Sequence, residues 1–361
     1  MEVHTGDVLD TFPIRLSWDL FRIYESTSTV HHLGQSVVLP PSQDEQPIVL
    51  NARVSRLLAQ FRQQNVASVL EEAIVVGRTA LGLFPLDHPE RPVALSNLAS
   101  GLHARFWQNG AVSDLEEVVD LSRAVLHLSP QGHPNRAMFL NNLAVSLCDQ
   151  FNSLGALSDL DEGIRLYRAA LELCPTDHSK RPTTLNHLAA SLCARFKHLR
   201  VQHDLDEAVA LGQEALDLHS RSDPGRPGAL NNLATSYNMR SIHLRNLADL
   251  NHAIGLHREA LEQSGPRHPH LSIFYANLAT CLEARFDEQG AMADLDEAIT
   301  LLRAALDLHS RGHPSVPLLS RTWGVPFMHD SNRWDRIVEL AISMKPSFSS
   351  RLLWSFVPRD T

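Results

Sequence analysis

The chain repeats itself every 45 residues, and that period constrains its fold more than any other feature. His-Pro steps stand at His88-Pro89, His133-Pro134, His268-Pro269 and His313-Pro314, and the two intermediate places are held by His178-Ser179 and Asp223-Pro224. Five units of 45 residues follow without insertion: 88–132, 133–177, 178–222, 223–267 and 268–312. Other columns keep the same register. They are Leu98, Leu143, Leu188, Leu233 and Leu278; the alanines that follow each of these; Phe106, Phe151, Phe196 and Phe286; and Asp114, Asp159, Asp204, Asp249 and Asp294. A unit this short cannot bury its own apolar faces, so its neighbours must cover them and the chain becomes a stacked array.

Within each unit the apolar spacing predicts two helices. Leu95, Leu98, Ala99, Leu102 and Phe106 mark one face of the first, helix A. The proline of each His-Pro step suits a first turn, where a missing N–H costs nothing. Gly110, Gly155 and Gly290 mark the turn into helix B. The Asp-x-x-Glu of 114–117, repeated at 159–162, 204–207 and 294–297, reads as a capping box opening helix B. Leu115, Val118, Leu121, Val125 and Leu128 form its apolar face. The expectation is an all-α, right-handed superhelical solenoid of stacked antiparallel helix pairs, with no sheet between 43 and 312.

These columns resemble the tetratricopeptide repeat. Its pattern of a large residue, Leu-small, then Leu on helix A, with small residues and a closing proline on helix B, is matched by Leu140, Leu143-Ala144, Leu147, Gly163, Ala170 and Pro175. The longer helix A, running through Arg105-Phe106, is similar to the kinesin-light-chain type of the repeat. The wording of the units resembles arrays in basidiomycete fungi that precede a caspase-like CHAT domain or follow an NTPase module. The resemblance is strong over 88–312 and extends to 43–87 as a degenerate unit, where Arg53 replaces the core leucine. Residues 1–42 read as an irregular leader. Residues 313–361, with Trp323, Trp334 and Trp354, read as a divergent cap or the remnant of a further domain.

Charge and composition narrow the function. Apolar residues make up 43% of the chain, enough for a real core, and the net charge of −9 argues against a dedicated nucleic-acid binder. Cys148, Cys174, Cys193 and Cys281 form no CxxC, so a reducing, cytoplasmic compartment is expected. No signal peptide and no apolar run of about 18 residues is evident, so no membrane association is expected. The histidines fall mostly in the His-Pro turns, and no metal or other cofactor is expected. No nucleophile elbow, P-loop, GxGxxG or HExxH occurs. A CHAT-type site needs a histidine and a cysteine after the repeats, and the last cysteine is Cys281. The chain is therefore expected to be a monomeric non-enzyme.

The candidate site lies in two asparagine columns on helix A. Ser96, Asn141, Asn186 and Asn231 form the first, and Asn97, Asn142, Asn232 and Asn277 the second. In the family it resembles, helix A lines the concave surface, which implies that the first column faces the groove and the second lies nearer the packing. An amide donates and accepts, so a row of them can pair with an extended peptide backbone. The site residues expected are Asn141, Asn142, Asn186, Asn231, Asn232, Thr235, Asn277 and Thr280, with Val145 and Ala190 leaving room for an apolar side chain. The arginine columns at 91, 105 and 123, with their repeats, are expected to pair with the acidic residues at the helix starts. The function expected is a protein-interaction scaffold holding a peptide or partner helix. The alternative is the sensor part of a larger CHAT-protease-like or NTPase-linked protein.

Overall fold

A computed structural model describes residues 46–310, apart from Asp177, Arg267, Pro269 and the side chains of Leu306, His309 and Ser310. The expected leader 1–42 and the tail 313–361, with its three tryptophans, lie outside the described residues. Among the described residues there are twelve helices and no strand, the architecture of an all-α solenoid. They are α1 (Pro47–Gln64), α2 (Ala67–Leu83), α3 (Arg91–Asn109), α4 (Val112–His127), α5 (Arg136–Leu154) and α6 (Leu157–Leu173). Then come α7 (Arg181–Leu199), α8 (Gln202–Leu218), α9 (Arg226–Leu244), α10 (Leu247–Gln263), α11 (Leu271–Gln289) and α12 (Met292–Ser310). Odd-numbered helices are helix A of each unit and even-numbered ones helix B. From α3 onward, helix A restarts every 45 residues, at 91, 136, 181, 226 and 271.

Residues 46–239 form one compact unit and 240–310 another, with the boundary inside α9. In 46–239, α1 packs on α2, α3 on α4, α5 on α6 and α7 on α8, and α2, α4 and α6 also pack on the next helix A. In 240–310, α11 packs between α10 and α12.

Two-residue turns join A to B, and each begins with a left-handed residue that lets the chain reverse. Gly110, Gly155 and Gly290 take φ of 79°, 77° and 69° there, as glycine readily does. Asn65, Arg200 and Arg245 adopt the same conformation with a Cβ, at 51°, 55° and 51°.

The B-to-A turns explain the His-Pro column. The Nδ1 of His88, His133 and His178 accepts the backbone N–H of Glu90, Asn135 and Lys180 at 3.1, 3.1 and 3.2 Å. His268 does the same for His270 at 3.2 Å. Where the column carries Asp223 instead, its Oδ1 accepts from Gly225 N–H at 2.8 Å. The imidazole thus works as an Asx-type turn former, bonding the backbone two residues on, and aspartate replaces it without loss of the bond.

Two sequence expectations need correction here. The helix-B aspartates are not N-caps. Each helix B starts two residues earlier, after Ala111, Ala156, Val201 or Asn246, so the aspartate lies inside the first turn. Except at Asp159, where Gln150 holds the place, its carboxylate is instead gripped by the arginine near the end of the preceding helix A. Arg105 binds both oxygens of Asp114 at 2.7 Å, Arg195 those of Asp204 at 2.9 and 2.7 Å, Arg240 those of Asp249 at 2.7 and 3.0 Å, and Arg285 those of Asp294 at 2.8 and 2.7 Å. These forks close the A–B turn and need the planar guanidinium. Hydrogen bonding from Arg285 holds the Asp294 carboxyl below its ordinary pKa.

Nor do the arginines opening helix A mainly seek acids. The Nη1 of Arg91, Arg136, Arg181 and Arg226 donates to two terminal carbonyls of the preceding helix B: Leu81 and Phe84, Leu126 and Ser129, Leu171 and Cys174, Leu216 and His219. A cation there satisfies orphan acceptors and complements the negative end of the helix dipole. Arg181 adds an ion pair with Glu214 at 2.8 Å. The helix-B arginines behave as expected. Arg78, Arg123 and Arg168 reach Glu117, Glu162 and Glu207 of the next helix B at 2.7–2.9 Å, and Arg258 reaches Glu297 at 2.7 Å.

The core of 46–239 is tightest between α5 and α6. Tyr167 is fully buried, and a Cβ on Gly163 would stand 2.8 Å from Cys148 Sγ and 3.2 Å from the Ala144 carbonyl oxygen. Gly163 is the small residue that lets these two helices meet.

Candidate functional site

The side chains of interest lie on the A helices. In the 133–177 and 223–267 units the two amide columns show the opposite exposure to the one expected, whereas in the 88–132 unit Ser96 is half-buried and Asn97 buried, as expected. Asn141, Asn186 and Asn231 of the first are buried, at 5%, 7% and 7% exposure, whereas Asn142 and Asn232 of the second are half-buried. The first column turns toward the neighbouring helices. The Oδ1 atoms of Asn141 and Asn186 are buried there with no hydrogen-bond partner. At the start of the array the same two columns meet directly: Asn97 Nδ2 donates to Asn51 Oδ1 at 2.8 Å and to Ser55 Oγ at 3.1 Å. The second-column place of the 178–222 unit is taken by buried His187.

The other named residues are also located. Thr235, half-buried, spends its proton on the Asn231 carbonyl at 2.9 Å. In 240–310, Asn277 and Thr280 are half-buried on α11, and Thr280 donates to the Ala276 carbonyl at 3.0 Å. Val145 and Ala190 are buried. Many hydroxyls on this face do as the threonines do. Ser100, Ser146, Thr184, Ser191 and Ser236 each donate to the carbonyl four residues back. Their protons are therefore spent on their own helices, and of the five only Ser100 is more than slightly exposed. Two amides stand out on the same face. Asn142 makes no side-chain hydrogen bond among the described residues, and Asn232, half-buried, uses its oxygen to accept from Asn231 Nδ2 at 3.5 Å.

Geometry adds a feature that spacing could not reveal. A cavity of about 210 Å³ opens between α3, α4, α5 and the start of α7. Asn141 and Asn142 line it, with Ser96, Ser100, His103 and Thr183 around them and Val125, Phe139 and Val145 at its apolar side. Its charged and titratable lining is Arg62, His103, Cys174, His178 and Lys180, with no carboxylate among it. Burial lowers the Lys180 pKa. Behind His103 lies Asp149, whose carboxylate is 2% exposed and 2.7 Å from His103 Nε2. A buried carboxylate needs such a partner. The only sequence signal for this wall was a pair of departures from the columns, His103 and Asp149, where neighbouring units carry cysteine and alanine.

The four cysteines are buried. Burial pushes the thiol of Cys148 up to about 12 and that of Cys193 to about 11, and it raises Cys174 and Cys281 as well. The thiolate is the reactive form, so none of these is poised as a nucleophile. Among the described residues no group of three or more His, Cys, Asp or Glu is placed to hold a metal. Among them, too, no helix is long and apolar enough to cross a membrane.

Comparison with known proteins agrees with this architecture. Residues 136–179, which span α5 and α6, match the tetratricopeptide-repeat family. No curated protein matches the chain. Among solved structures the chain is similar to BtubC (BKLC) from P. vanneervenii, at 20% identity over 73% of this chain and 91% of that one, with a TM-score of 0.41. It is also similar to residues 1–338 of Acl4, an assembly chaperone of RpL4, at 16% identity, 74% and 99% coverage, and a TM-score of 0.43. A third is the TPR2AB domain of yeast Sti1 in a complex with pHSP90, at 17% identity, 77% and 96% coverage, and a TM-score of 0.24.

Proposed function

We propose that this chain is a non-enzymatic interaction scaffold that holds a segment of a protein partner against the helix-A face of 46–239. The observation that carries this reading is the cavity flanked by Asn142, an amide that makes no side-chain hydrogen bond among the described residues, with the Ser100 and Ser146 hydroxyls beside it committed to backbone carbonyls. A site built from outward amides and lone pairs suits a polypeptide backbone, which needs both donors and acceptors. In a chain of net charge −9, the cavity wall carries Arg62 and Lys180 and no carboxylate of its own. The 45-residue unit length supports the long, kinesin-light-chain type of repeat, and the partner is a protein rather than a nucleic acid or a membrane. A photocrosslinking residue at position 142 or 232 tests this in extracts of the native cell. The expected result is one defined polypeptide adduct that is missing when the same residue replaces Glu116, exposed on helix B. Equal adducts from all three positions would refute the site.

A further inference from the structure

We infer that the bound segment carries a phosphorylated side chain whose phosphoryl group enters the cavity of 46–239; this rests on the scaffold reading above. Charge sets the sign of the occupant. The cavity wall holds Arg62 and Lys180 and no carboxylate. Asp149, behind that wall, is buried and engaged by His103 at 2.7 Å. His178 adds a neutral donor. Its Nδ1 accepts the Lys180 backbone N–H at 3.2 Å, so the neutral ring carries its proton on Nε2.

The supply of donors then separates a phosphoryl group from a carboxylate. Ser96, Ser122 and Thr183 line the cavity, and none of their hydroxyls makes a hydrogen bond among the described residues. Asn141 and Asn142 are likewise without side-chain hydrogen bonds there. The Oδ1 of Asn141 is enclosed in protein, so its NH2 is the end that meets the cavity. Three hydroxyls, two amides and an imidazole N–H thus surround one space of about 210 Å³ beside two cations. A carboxylate has two oxygens with about four lone-pair sites and a single charge, and it would leave part of this set unused. A phosphoryl group brings three strong acceptor oxygens and a charge of about −1.5 to −2 at pH 7, which suits two cations. An uncharged side chain would gain nothing from Arg62 and Lys180. Val125, Phe139 and Val145 form the apolar side of the cavity, against which the carbon stem of the side chain lies.

The test uses the full chain and four peptide libraries with random flanks and one fixed central residue: phosphoserine, phosphotyrosine, serine or glutamate. At least one phosphorylated library is expected to be retained about tenfold or more above the serine and glutamate libraries, a difference that one or two charge-assisted hydrogen bonds supply. Lys180→Met removes a cation and Ser122→Ala a hydroxyl, and Asn142→Asp keeps the size but exchanges a donor for a negative charge. Each should weaken the retention of phosphorylated peptides by about threefold or more, with the melting temperature unchanged. A preference for phosphorylated peptides that all three variants leave intact would place the phosphoryl group elsewhere and overturn the inference. If the glutamate library is retained as strongly, any anion suffices, and the phosphoryl assignment falls while the peptide site stands. If the serine library is retained as strongly, charge plays no part and the inference again falls alone. If no library is retained, the scaffold reading falls with it.

Discussion

The two compact units are built from one repeat but are not secured alike. In 46–239, four arginines, Arg91, Arg136, Arg181 and Arg226, each clamp the carbonyl end of the preceding helix B. In 240–310 the equivalent place before α11 is Leu271, which has no donor, and Ser264 covers one carbonyl, that of Ala260, instead. At the centre of the 133–177 unit, Tyr167 fills the space between helices. The corresponding residue 90 positions later is the smaller His257, also fully buried; the Tyr167 hydroxyl and the His257 Nδ1 are both unpartnered, so the difference lies in the volume each fills. In a linear array, then, each joint carries its own locks, and losing them weakens the chain locally.

Four sets of substitutions put that contrast under load. The largest effect is expected at Tyr167. Truncation to Ala should cost about 3–5 kcal/mol, as for other large buried side chains, measured by denaturant unfolding. A cost under about 1 kcal/mol would mean that the centre of the 133–177 unit is not the packed site described.

Acid should strike the other unit first. Burial lowers the His257 pKa to about 3 from its ordinary value of 6.5. The unfolded chain takes up a proton below about pH 6.5 and the folded one does not until about pH 3. The stability of 240–310 is therefore full above pH 6.5 and falls as the pH drops through that window. The loss reaches about 2 kcal/mol by pH 5. Amide exchange at pH 5 and 7.5, corrected for intrinsic rates, should show the loss in the natural chain and largely abolish it in His257→Leu. A loss that persists undiminished in His257→Leu would assign the acid response elsewhere.

Gly163→Ala should cost about 1–3 kcal/mol through overcrowding. Combining it with Cys148→Ala should bring the non-additive recovery of two groups competing for one space. Simple additivity in that double-mutant cycle would remove Cys148 as the cause.

The smallest effect is expected at a clamp itself. Arg91→Met keeps the length of the side chain, removes the donor to Leu81 and Phe84 and should destabilise the end of α2 by about 0.3–1 kcal/mol, read as faster amide exchange in its last turn. Unchanged exchange would mean that the carbonyl clamps add nothing.

How far the sequence carried the fold follows from these same residues. The helix pairs were legible because apolar residues recur with helical spacing and Gly110, Gly155 and Gly290 mark the reversals. The aspartate column was misread because Asp-x-x-Glu has the same spacing whether it caps a helix or lies within its first turn. Only the positions of Arg105 and Asp114, nine residues apart across the turn, distinguish the two. The candidate site was half legible. Adjacent positions on a helix differ by about 100°, so a modest rotation of helix A exchanges the exposures of Asn141 and Asn142. The cavity was not legible at all, because it is a gap left by packing between helices from three units, and no residue spells a gap. The arginines of helix B, by contrast, found the acidic partners that their 45-residue register suggested.

The most direct test is hydrogen–deuterium exchange on the whole chain at neutral pH. The 240–310 amides are expected to exchange faster than the buried amides of α5 to α8, with α10 and the start of α11 opening first. Equal protection across both units, or faster opening of α5 to α8, would contradict the view that 46–239 is the firmly locked platform carrying the candidate face.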